Sequence, residues 1–155
     1  MYNVLFIDTE NSARSIIAEA LLNNWGKDKF KAYSAGSQPS GELNEHVVGI
    51  LEHAKLSLAD ARSKSLDEFS ADDAPQMDLV FILCDKAHEE ICPIWPEHTI
   101  TAVWNINSPY VDDLNMDAVR EILHTLESRI NLFTQLPIAK LEHLKLQQEL
   151  NAIGQ

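Results

Sequence analysis

Apolar and polar positions fall into blocks along this chain, and each block has its own period. Val4-Leu5-Phe6-Ile7 is a continuous apolar run that stops at a polar loop, the pattern of a strand buried on both faces. Ile16, Ile17, Ala20, Leu21 and Trp25 then recur at helical spacing, and Gly26 follows as a stop. Lys31 to Ser34 predicts a second short strand ending at Ala35-Gly36. Residues 43–54 predict a helix with Leu43, Val47, Ile50, Leu51 and Ala54 on one face. Leu79 to Leu83 is the clearest strand, and Thr99 to Trp104 is a fourth. A long helix over 115–134 rests on Val119, Ile122, Leu123, Leu126, Ile130 and Phe133, and Pro137 breaks it. A last helix carries Leu141, Leu144, Leu146, Leu150 and Ile153.

Strands alternating with helices predict an α/β domain: a four-stranded parallel sheet with helices on both faces and an extra C-terminal helix. The 155 residues fit one domain, 1–155, with no internal repeat or linker composition. Ligands of such sheets bind at the carboxyl ends of the strands. Three informative segments fall there: Asp8–Ser15, Cys84–Cys92 and Trp104–Asp113.

Composition narrows the partners. The formal net charge is −12, from 24 acids and 12 bases, which disfavours nucleic acid and anionic lipid. An anion site in such a chain has to be built locally, from backbone N–H groups and one or two bases. No apolar run approaches the ~18 residues that span a bilayer, and MYNVLFID has no basic leader segment. A cytoplasmic protein without membrane contact is expected, as a monomer or weak dimer. Two cysteines do not make a disulfide scaffold. The six histidines lack metal-ligand spacing, so neither metal nor cofactor is expected, and Trp25, Trp95 and Trp104 read as packing residues.

The first loop carries the most chemistry. A turn between a strand and a helix N-terminus presents several unpaired N–H groups at one point, reinforced by about half a positive charge from the helix dipole. Asn11 and Ser12 suit a tight turn, Ala13 permits close backbone approach, Arg14 offers a two-pronged donor for a tetrahedral anion, and Ser15 can cap the helix. An anion site and an ordinary capped turn fit these residues equally well.

VLFIDTENSARSIIAEALL (4–22) resembles the signature of the low-molecular-weight tyrosine phosphatase family in its thioredoxin-type arsenate reductase branch. The resemblance continues through SAGSQPSG (34–41), RSKSLDEF (62–69), CDKAHEEICPIWPE (84–97), VWNINSP (103–109) and RINLFTQLPIAKLEHLKLQQELNAIG (129–154). It implies a phosphate or arsenate cradle made by Thr9, Glu10, Asn11, Ser12, Ala13, Arg14 and Ser15. In that family a cysteine thiolate attacks the tetrahedral centre, the loop and its arginine hold the oxygens, and an Asp beside a Pro protonates the leaving group. Thioredoxin or glutaredoxin enters as an expected partner, because further cysteines resolve the oxidised nucleophile by disulfide exchange.

This chain departs from that pattern at three places. Asp8 stands at the nucleophile position, six residues before Arg14. A carboxylate can attack phosphorus, but it cannot take part in a thiol–disulfide relay. Glu10 adds a second carboxylate to a cradle for anions; at ~4 Å and an effective dielectric near 20, each like-charge pair costs on the order of 4 kcal/mol. Ser108 precedes Pro109 where the family has the Asp of its acid, leaving Asp112 as a substitute acid. Cys84 and Cys92 match family cysteines and are candidate redox thiols, although no three-thiol relay exists without a cysteine at position 8.

Three readings follow. One is a family member whose catalysis is impaired or lost at Asp8, whether the aspartate is native or a later change. A second is a Mg²⁺-dependent phosphatase using Asp8 as nucleophile, since Asp8-Thr9-Glu10-Asn11-Ser12 resembles the D-x-D-x-T/S motif of haloacid dehalogenase-type enzymes. A third is a regulatory binding module in which Asp8 serves as a built-in anion.

Overall fold

The structure is a computed structural model and describes residues 1–56, 61–70, 72–83, 99–104, 106, 115–138 and 143–154. The elements are β1 (Tyr2–Asp8), α1 (Arg14–Trp25), β2 (Phe30–Gly36), α2 (Glu45–His53), a 3₁₀ turn (Leu66–Phe69), β3 (Leu79–Ile82), β4 (Ile100–Val103), α3 (Met116–Thr134) and α4 (His143–Ile153). The four strands form one parallel sheet in the order β2-β1-β3-β4. The α/β class and the four-stranded parallel sheet are as the sequence pattern predicts.

Alternation along β1 divides the core. Val4 and Phe6 face the larger cluster, with residues of all four helices, while Leu5 and Ile7 face a smaller one. Among the described residues, Leu66 and Phe69 of the 3₁₀ turn and Met77 join the smaller cluster with Val80 and Ile82. The larger cluster centres on aromatic rings: Phe81 lies 4.2 Å from Trp104 and 5.1 Å from Phe133 between centroids, and the edge-on Phe133 pair is of the kind that adds to area burial. Trp104 also donates its indole N–H to the Leu150 carbonyl at 2.9 Å, which docks α4 against the end of β4. Trp104 is therefore the packing residue expected, but Trp25 is 46% exposed at the end of α1.

Helix α1 begins two residues earlier than the apolar period alone suggests, and Ser15 to Leu22 are all buried. That follows from its position against β1, β2 and α3. No helix among the described residues is long and apolar enough to cross a membrane.

The consequence for function lies at the end of β1. The chain leaves β1 for β2 on one side, while β3 lies on the other. Such a reversal of strand order opens a crevice at the carboxyl edge of the sheet, and the Asp8–Arg14 loop occupies it.

Candidate functional site

Asp8 is the last residue of β1, paired in register with Gly36 of β2, and only 2% exposed. Pairing continues past the strand ends. The carbonyls of Asp8, Thr9 and Glu10 accept from the N–H groups of Ser37 (3.1 Å), Gln38 (2.8 Å) and Ser40 (3.1 Å). The Ser12 carbonyl accepts from Asn44 N–H at 3.0 Å, and the Ala13 carbonyl from Ile17 N–H at 2.9 Å. These five carbonyls are thus committed to backbone donors. Among the described residues, no hydrogen bond engages the N–H groups of Glu10, Ser12, Ala13 or Arg14. This is the arrangement an anion cradle requires.

Two further N–H groups of the loop are taken by Asp8 itself. One carboxylate oxygen accepts from Asn11 N–H at 2.6 Å, and the other from Ser15 N–H at 2.9 Å. The second bond satisfies a donor in the first turn of α1. Ser15 was expected to cap that helix; instead Ala13 holds the cap position, with no side-chain cap bond. Ser15 lies inside the helix, and its Oγ accepts from the Asn11 side-chain amide at 2.7 Å. The acceptor that an N-terminal cap normally supplies from the adjacent residue comes here from Asp8, seven positions back.

Asn11 is the keystone of the turn. It is fully buried with φ of 51°, a left-handed conformation that Asn tolerates better than other side chains. Its amide nitrogen donates to Ser15, and its amide oxygen accepts from Lys64 N–H at 2.8 Å. Gly36 packs against the same turn. A Cβ added there would lie 2.7 Å from the Thr9 carbonyl oxygen and 3.0 Å from Asn11 Cβ, so only glycine permits this approach.

The remaining loop residues differ in exposure. Thr9, Ser12 and Ala13 are buried; Glu10 and Arg14 are partly exposed. Arg14 Nη1 donates to the Ile106 carbonyl at 3.4 Å, a long contact that leaves most of the guanidinium's donor capacity for an anion. Cys84, Cys92, Ser108 and Asp112 lie outside the described residues.

Sequence reasoning missed the layer behind the loop. Ser34 Oγ donates to Glu19 Oε2 at 3.0 Å, and the Lys64 ammonium donates to Ser34 Oγ at 3.4 Å and to the Arg62 carbonyl at 3.2 Å. Glu19, Ser34 and Lys64 are at least nine-tenths buried. Burial holds the Lys64 amine below its ordinary pKa, with Glu19 opposing that shift. Glu19, Arg62 and Lys64 line part of a cavity of about 1070 Å³ beside β2.

Comparison with known proteins agrees with this geometry. Residues 3–148 match the family described as low molecular weight phosphotyrosine protein phosphatase. The chain is 33% identical over 110 residues to arsenate reductase 1 of Bacillus cereus, covering 68% of this chain and 75% of that protein. It is 31% identical over 106 residues to an arsenate reductase of Bacillus subtilis, covering 68% and 73%. Among solved structures, the arsenate reductase of Archaeoglobus fulgidus superposes with a TM-score of 0.68 at 31% identity, covering 86% of this chain and 99% of that one. A thioredoxin-dependent arsenate reductase of Corynebacterium glutamicum gives 0.69 at 26% identity, covering 90% and 64%. The chain belongs to the low-molecular-weight phosphotyrosine protein phosphatase family, in its arsenate reductase branch.

Proposed function

We propose that this chain is an oxyanion-loop protein of the arsenate reductase branch whose cradle holds its own carboxylate, and that it performs no thiol chemistry at position 8. The observation that carries this reading is the pair of hydrogen bonds from Asn11 N–H and Ser15 N–H to the two oxygens of Asp8. Charge-assisted bonds of this kind are about twice as strong as neutral ones. They place a resident negative charge where phosphate or arsenate would bring its own. Glu10 adds a second.

The same bonds count against Asp8 as a phosphorus nucleophile. Each oxygen already accepts an N–H bond, which spreads its negative charge into the loop and lowers its nucleophilicity. A carboxylate has no disulfide state, so the electron donor named for the Corynebacterium relative, thioredoxin, has no acceptor at position 8 of this chain. The ligand class remains a tetrahedral oxyanion, drawn by Arg14 and the four N–H groups of Glu10, Ser12, Ala13 and Arg14, but held weakly against Asp8.

Arsenate reduction coupled to thioredoxin, thioredoxin reductase and NADPH tests the reading, together with hydrolysis of p-nitrophenyl phosphate. The unaltered chain is expected at background in both assays, and Asp8→Cys is expected to gain in at least one. Turnover by the unaltered chain above background overturns the proposal.

A further inference from the structure

We propose that Lys64 is a positioning residue for the anion loop: a buried ammonium that fixes the 62–65 segment so that its backbone holds Asn11 in the left-handed turn. The inference deepens the reading of the loop as a preformed cradle and rests on it.

Three chain segments meet at this point. The Lys64 N–H donates to the Asn11 side-chain oxygen at 2.8 Å. The Lys64 carbonyl accepts from Gly36 N–H at 2.9 Å, and Ser65 bridges to Gly36 in parallel. The backbone of Lys64 therefore touches both sides of the turn, Asn11 directly and the Gly36 that packs against it. Ser63 adds contacts to the loop from the other side of Lys64. Ser63 Oγ donates to the Glu10 carbonyl at 3.0 Å and accepts from Gly41 N–H at 3.1 Å. Both bonds lie nearer the surface.

The side chain of Lys64 supplies the anchor. Its ammonium runs inward to Ser34 Oγ and folds back on the Arg62 carbonyl. Ser34 Oγ in turn donates to Glu19 of α1. One buried polar chain thus ties α1, β2 and the 62–65 segment together, and the Lys64 backbone links it to Asn11. A buried ammonium is costly to keep. Stability alone would be served as well by apolar side chains in place of the whole buried group, Lys64 together with Glu19. Retaining the charge makes sense if its directional bonds set a backbone position that apolar packing leaves loose.

The groups facing the ammonium come from each packed element. They are Glu19 from α1, Ser34 from β2, and Arg62 and Glu68 from the segment itself, with Arg62 and Glu68 engaged in a two-point ion pair.

Site-resolved hydrogen exchange on the full chain tests the proposal. Lys64→Met keeps the length and removes the charge. It is expected to speed exchange of the Asn11 and Ser15 amides at least about tenfold, while core amides such as Leu5 and Phe81 change less than about twofold. Lys64→Arg, which retains a cation and donors, is expected to recover part of that protection. Asn11 and Ser15 protection unchanged in Lys64→Met overturns the proposal. Uniform loss across core and loop overturns it as well, because that is the signature of a merely structural residue. If Lys64→Met unfolds, Ser34→Ala, which removes the ammonium's inward partner, carries the same loop-against-core comparison. Exchange is read without added anion, so it can fail while oxyanion titration of the cradle succeeds, or the reverse.

Discussion

Helices α1 and α2 both begin with an acidic or amide side chain that accepts two backbone N–H groups, yet the two starts are built differently. At α2, Asn44 reaches forward to His46 N–H at 2.9 Å and Val47 N–H at 3.3 Å. This is a local cap, partly exposed, and it ends where it begins. At α1 the acceptor is Asp8, which spans a loop to Asn11 and Ser15 and is buried. The first solution stops a helix from fraying. The second holds an entire loop in shape with a charge at its centre. Asp8 thus does more for local structure than an ordinary cap, and under the proposed reading it stands in for a ligand's charge.

That difference sets the expected sizes of perturbations. Asp8→Ala is expected to cost about 3 kcal/mol in urea unfolding, because it leaves two buried N–H groups without an acceptor. Added phosphate is expected to restore part of that loss by supplying another acceptor. A loss below about 0.5 kcal/mol would reduce Asp8 to an ordinary loop residue. Gly36→Ala comes next, at about 2 kcal/mol, since its Cβ must displace the Thr9 carbonyl or Asn11. A neutral result there would mean the turn yields freely and the cradle is not preformed. Asn44→Ala is expected to cost about 1 kcal/mol, the value of a local cap. If it equalled Asp8→Ala, the contrast between the two helix starts would vanish.

The smallest effect is one of pH. The folded Lys64 amine titrates below its ordinary value of 10.5, chiefly through burial. Between the folded value and 10.5 the unfolded chain binds more protons, so stability contributed by this group rises with pH. The unaltered chain is therefore expected to gain on Lys64→Met as pH climbs through that window, measured by urea unfolding at stepped pH. Parallel curves would remove the burial term from the account.

The sequence carried the fold well, because its strands are apolar runs and its helices are periodic. Val4 to Ile7 and Leu79 to Ile82 are unambiguous, and the loop between β1 and α1 follows once they are placed. The 3₁₀ turn at Leu66–Phe69 was not legible as an element, being four residues without a period. The Glu19–Ser34–Lys64 layer was hidden for a different reason. Glu and Lys read as solvent-facing in any single segment, and their burial arises only when α1, β2 and the 62–65 segment converge. Trp25 shows the reverse: an apolar residue in phase with its helix that overshoots the core. The loop's ambiguity between an anion site and a capped turn also had a physical cause, since the acceptor of the Ser15 N–H comes from Asp8, seven positions back, and not from the neighbouring residue a local cap uses.

The claim that Asp8 is the cradle's resident anion is tested most directly by calorimetric titration of phosphate and arsenate into the unaltered chain and Asp8→Ala. The account predicts no binding at millimolar concentration by the unaltered chain, and binding at least about tenfold tighter in Asp8→Ala, as expected when a like charge leaves the site. Millimolar or tighter binding by the unaltered chain, with no gain in Asp8→Ala, would contradict it.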